Sequence, residues 1–125
     1  MLLNFNDLVL EVSKKDDSEV NKLILDLNKE YLELVMRRKS LSEEIELKEL
    51  EVKVEIMEEV DERGKRVFSN EDKRKLELER RLSEDEEFNM KRAELESVIN
   101  NIRMVESIRE YVRNELAIRL NRSNI

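Results

Sequence analysis

From residue 17 to residue 63 nothing interrupts a helix: the stretch has no Pro and no Gly, and the chain's single glycine follows at 64. A helix that long spans roughly 70 Å at 1.5 Å per residue. Placed at 100° intervals, its apolar residues fall into two stripes. The broader carries Val20, Leu23, Ile24, Leu27, Tyr31, Leu34, Val35, Leu41, Ile45, Val52, Ile56 and Val60. The narrower, roughly opposite, carries Leu25, Leu32, Met36, Leu47, Leu50, Val54 and Met57. A second helix of the same chain can cover one stripe, and the other then asks for a second molecule.

Composition agrees with rods and not with a thick core. Charged residues make up 44% of the chain, against roughly 25% in an average soluble domain. Abundant Glu, Lys, Arg and Leu beside one Gly and no Pro predict an all-α fold. Without Cys, neither disulfides nor thiolate chemistry can form. No basic-then-apolar leader opens the chain and no apolar run nears the length of a membrane span, so a cytoplasmic protein without membrane contact is expected. The net charge of −7 disfavours a general nucleic-acid coat but leaves room for a local basic patch.

Residues 1–15 form a short N-terminal segment in which Leu2, Phe5, Val9 and Val12 share a helical face; it is too short to stand alone. Asp16, Asp17 and Ser18 are N-cap candidates for the long helix at 17–63, and Glu19 suits its positive end. Residues 43–62 hold ten acidic and two basic residues, 2 − 10 = −8. Residues 63–81 reverse this with eight basic and four acidic, 8 − 4 = +4. Gly64 marks a turn at 64–69, because glycine enters the left-handed region without a side-chain penalty. Ser69 or Asn70 then caps a short helix at 70–82, whose Leu78 and Leu82 fall off the phase of the later seam. Ser83 and Glu86 have capping-box spacing and predict a restart. A last helix at 84–122 carries a seam from Phe88 to Leu120 and a second stripe of Met104, Ile108, Tyr111 and Ile118. The expected architecture is a single domain, a long antiparallel helical hairpin with a short middle helix at the bend, assembling into an oligomeric bundle.

Three groups of residues invite a functional reading. Leu25, Leu32, Met36, Leu47, Leu50, Val54, Met57, Met104, Ile108, Tyr111 and Ile118 form the expected oligomer interface. Arg63, Lys65, Arg66, Lys73, Arg74 and Lys75 surround the bend and could hold phosphates or a partner protein, whereas the plainer reading is a solvated tip bridged back to Glu55, Glu58, Glu59 and Glu62. Arg38, Lys48 and Arg109 interrupt apolar stripes, either fixing register or reaching out to solvent. Carboxylates spaced by three at Glu55/Glu58, Glu59/Glu62 and Glu84/Glu87 could bind Mg²⁺ on facing helices, but so acidic a chain makes such spacings by chance. The dinuclear carboxylate-histidine site needs His, of which there is none. No catalytic residues, metal ligands or cofactors are therefore assigned.

The string Asp61-Glu62-Arg63-Gly64-Lys65-Arg66-Val67-Phe68-Ser69-Asn70-Glu71-Asp72-Lys73-Arg74, with Glu84-Asp85-Glu86-Glu87-Phe88, resembles the bend of small coiled-coil proteins from phages and prophages. That group has no established activity, so no residue roles carry over. The resemblance implies a setting in which small helical proteins act as accessories or inhibitors of DNA-handling machinery. Prefoldin also has two long helices about a turn but needs strand segments there, for which 65–68 is too short. The expected function is a non-enzymatic, self-associating protein that contacts an unidentified partner protein; nucleic-acid binding through the basic tip is the second reading.

Overall fold

The computed structural model describes residues 5–123, with side chains from Asn6 to Arg122. Leu2 and the Phe5 side chain, counted above on the first helical face, lie outside what is described. Among the described residues four helices form, α1 Phe5–Ser13, α2 Asp17–Glu58, α3 Glu71–Glu84 and α4 Glu86–Ser123. Among the described residues no strand forms beyond one isolated bridge, between Val60 and Arg66.

Two compact units divide the chain, one from Met1–Val35 with Asn100–Ile125, the other from Met36–Ile99. The first buries Leu8 and Val12 of α1, Val20, Ile24 and Leu27 of α2, and Val105, Ile108 and Val112 of α4. In α1 this leaves Leu10 exposed, as one-sided burial of a short helix requires. The α1–α2 corner is set by a reciprocal cap: Glu19 N donates to Asp16 Oδ1 at 2.8 Å, and Asp16 N donates to Glu19 Oε1 at 3.3 Å. Arg119 closes the end of α1, donating to the carbonyls of Val12 at 2.8 Å and Lys15 at 2.6 Å. Val12 is among the last four residues of α1, whose carbonyls no amide within the helix reaches, and Lys15 N also donates to the Val12 carbonyl at 3.1 Å.

The second unit buries Ile45, Val52 and Ile56 of α2, Leu82 of α3 and Phe88 of α4, with Phe68, Leu78 and Leu95 packed alongside. Leu78 and Leu82 thus continue the core, although they fall off the seam in a continuous projection. Asp85 resets the phase. It ends α3, with its N–H donating to the Leu82 carbonyl, and starts α4 by accepting from Phe88 N at 3.0 Å. The expected Ser83 cap is corrected accordingly, because Ser83 Oγ donates backward to the Arg80 carbonyl at 2.7 Å instead.

A second correction concerns the end of α2, which stops at Glu58 and not at residue 63. The Asp61 carboxylate accepts from Arg63 N at 2.9 Å and Lys65 N at 3.0 Å, a local alternative to helical bonding. Asp61 N donates to the Lys65 carbonyl and Val67 N to the Glu59 carbonyl, folding the chain back on itself. Gly64 takes φ 77° at the tip. Val60, counted on the broad stripe, is consequently off the helix and exposed. Asn70, not Ser69, caps α3, its Oδ1 accepting from Lys73 N at 2.8 Å.

Candidate interaction surface

Among the described residues nothing covers the narrow stripe of α2. In the second unit Met36, Leu47, Leu50, Val54 and Met57 are 42% to 72% exposed, while Val52 and Ile56 on the same helix are buried. In the first unit Leu25 and Leu32 are likewise exposed. The last helix departs from expectation. Met104 and Ile118 are exposed, but Ile108 is buried in the first unit's core and Tyr111 packs against it. Ile108 shares its buried cluster with Leu8 and Val12 of α1, a third helix that a two-helix projection leaves out, so Ile108 and Tyr111 are core residues of this unit. Leu76 and Met90 are further exposed apolar residues that belong to neither projected stripe.

Two of the charges that interrupt stripes, Lys48 and Arg109, have partners. Lys48 Nζ lies 3.5 Å from Asp85 Oδ2, next to the α3–α4 break. The Arg109 guanidinium sits over the Tyr31 ring, 4.3 Å from its centroid, and donates to Asn28 Oδ1 at 3.3 Å. Two further pairs in the second unit, Arg37–Glu94 at 2.6 Å and Lys91–Glu44 at 3.8 Å, link α2 to α4. Their side chains are substantially exposed, so each contributes at most about 1 kcal/mol.

At the tip the basic residues divide. Arg80 and Arg81 are held in a network in which both donate to Glu77 and Arg81 also donates to Glu59. The Arg80 guanidinium, with Arg81 behind it, holds the Glu77 carboxyl down to about 2, well below the usual carboxylate range. The Phe88 N–H, aided by Lys48, lowers the Asp85 carboxyl, in keeping with its capping role. Arg74 donates to the Phe68 carbonyl at 3.3 Å. By contrast, Arg63, Lys65, Arg66, Lys73 and Lys75 form no salt bridge among the described residues. Of the four acidic residues expected to bridge back to the tip, Glu59 alone does so, through Arg81.

Beside this tip, Lys53, Ile56 and Met57 of α2 face Glu71, Arg74, Lys75 and Leu78 of α3 across an open groove. Sequence periodicity pointed to Met57 and to the cations of α3, but not to Lys53 or Leu78, which join them only once two helices pack. Among the described residues no group of three acidic side chains is placed to hold a metal ion, and no helix is long and apolar enough to cross a membrane.

No family model, no curated protein and no solved structure matches this chain.

Proposed function

We propose that the chain is a non-enzymatic, self-associating coiled-coil protein of the cytoplasm that works by contacting a partner protein. The observation that carries this reading is the exposed row Leu47, Leu50, Val54 and Met57, spaced three, four and three apart on one helix. That is the heptad rhythm by which one helix inserts its side chains between those of another. Within each unit α2 and α4 run antiparallel, for which the descending partners Arg37–Glu94, Lys91–Glu44 and Lys48–Asp85 speak in the second unit and Asp17–Arg119 and Asn28–Arg109 in the first. The resemblance at the bend suggests a phage-type accessory or inhibitor, with a DNA-handling protein as the class of partner.

The test is the oligomeric mass. Leu32→Glu together with Leu50→Glu halves or quarters the mass in sedimentation while the helical circular dichroism persists. An unchanged mass, or a wild-type chain that is already monomeric, overturns the reading.

A second reading, nucleic-acid binding at the tip, is favoured by the cations that form no salt bridge there. Phosphates need only positive charge within reach. It predicts oligonucleotide binding at about 50 mM salt that weakens steeply as salt rises, and that Arg63→Glu, Lys65→Glu and Arg66→Glu together abolish. No binding to any oligonucleotide at that salt removes it.

A further inference from the structure

The groove in the second unit has an apolar floor and a positive rim. Ile56 is covered, Leu78 is partly buried, Met57 is about half exposed, and Lys53, Arg74 and Lys75 stand above them with Glu71 as the one acid among the lining residues. Next to it on α2 runs a surface of opposite character. Leu47, Leu50, Val54 and Met57 are exposed at heptad spacing. Their flanks carry Glu43, Glu46, Glu51 and Glu58, all exposed and none in a salt bridge among the described residues, with Lys53 among them. Stripe laid directly on stripe would bring this net negative charge beside its own copy, and like charges held close oppose association.

We propose that the groove is the seat of the acid-flanked α2 stripe of a second copy. The contact is reciprocal about a two-fold axis, so each copy gives a stripe and receives one. It rests on the self-association reading and specifies how the copies meet. Leucine and valine of the incoming stripe cover the half-exposed floor at Met57 and Leu78. The carboxylates that flank the stripe meet Lys53, Arg74 and Lys75. Both halves of this surface lie within one compact unit, so a copy carries the complete complement of what it binds.

Charge exchange between full-length chains tests the arrangement. One variant makes the rim acidic with Lys53→Glu and Lys75→Glu, leaving Arg74, which also holds the Phe68 carbonyl. The other makes the flanks basic with Glu51→Lys and Glu58→Lys. Each variant alone sediments at half the wild-type mass or less, because its rim and flank no longer carry opposite charge. Mixed in equal amounts, the two recover the wild-type mass as a mixed assembly, with circular dichroism confirming that each is helical. A wild-type oligomer whose mass neither exchange alters overturns the groove and leaves self-association standing. So does loss of association in both variants without recovery on mixing. If the rim exchange leaves the mass intact and removes low-salt oligonucleotide binding, the cations serve phosphates and the groove assignment is likewise overturned. A wild-type monomer removes both readings together.

Discussion

Arg109 lies over the face of Tyr31, its guanidinium carbon 4.3 Å from the ring centroid. A cation in the middle of an apolar seam is thereby given a partner without leaving the helix. Pairs of this kind contribute about 0.5–1 kcal/mol at exposed sites and more when desolvated. In a double-mutant cycle of Arg109→Met and Tyr31→Leu, urea unfolding gives a coupling of about that size. Tyr31→Phe keeps the coupling, since the ring and not the hydroxyl does the binding. A coupling near zero means that Arg109 acts through Asn28 alone.

Arg119 makes α1 depend on α4. Its guanidinium donates to the Val12 and Lys15 carbonyls, and its side chain is 16% exposed. Charged hydrogen bonds of this kind contribute roughly 1.5–3 kcal/mol. With Arg119→Met, amide exchange at Val9, Val12 and Ser13 accelerates by at least tenfold while α3 amides keep their protection. Unaltered exchange in α1 means that Leu8 and Val12 hold the helix by packing alone.

Features set by local periodicity were legible in the residues, and those set by side-chain competition or by packing of distant segments were not. The helices, the bend at Gly64 and the uncovered stripe of α2 follow from spacing, because each depends on neighbours three or four residues away. The end of α2 does not, because Asp61 takes backbone donors that would have continued the helix and Glu59 pairs with Val67 across the turn. Leu78 and Leu82 became core residues because Asp85 restarts the phase between α3 and α4. Ile108 and Tyr111 were placed on the outer stripe because a projection of two long helices leaves out α1, whose Leu8 and Val12 share their cluster. The tip cations were legible as a cluster. Which of them remain outside salt bridges depended on Glu77, four residues before Arg81 and three before Arg80.

Gly64 offers a clean test of backbone conformation. A Cβ built there meets nothing within 4 Å, so a substitution is opposed by the positive φ and not by crowding. Gly64→Ala costs about 1 kcal/mol in urea unfolding, and Gly64→Asn costs less because Asn enters the left-handed region more readily. Equal stability for all three chains means that the 59–67 turn contributes little to the folded state. The nucleic-acid reading is separable from this, since neither change alters the charge of the tip.

Glu77 ties the tip's stability to acid. Its carboxyl accepts from Arg80 and Arg81, and Arg81 reaches on to Glu59, so the pair of arginines joins α3 to the segment leaving α2. The folded carboxyl titrates at about 2, against 4.5 for an unhindered glutamate. A group whose pKa is depressed on folding stabilises the protein above its unfolded value and loses that contribution as pH falls through its folded value. Wild type is therefore more stable than Glu77→Gln at about pH 7, and the gap between their melting temperatures narrows from about pH 4.5 downward, closing near pH 2. The check is twofold: melting of both chains across that range, and titration of the Glu77 side-chain carbonyl by NMR. A carbonyl midpoint at or above the unhindered value, or a melting gap independent of pH, shows that the arginines are held by solvent and by Glu59 and Glu84 without Glu77.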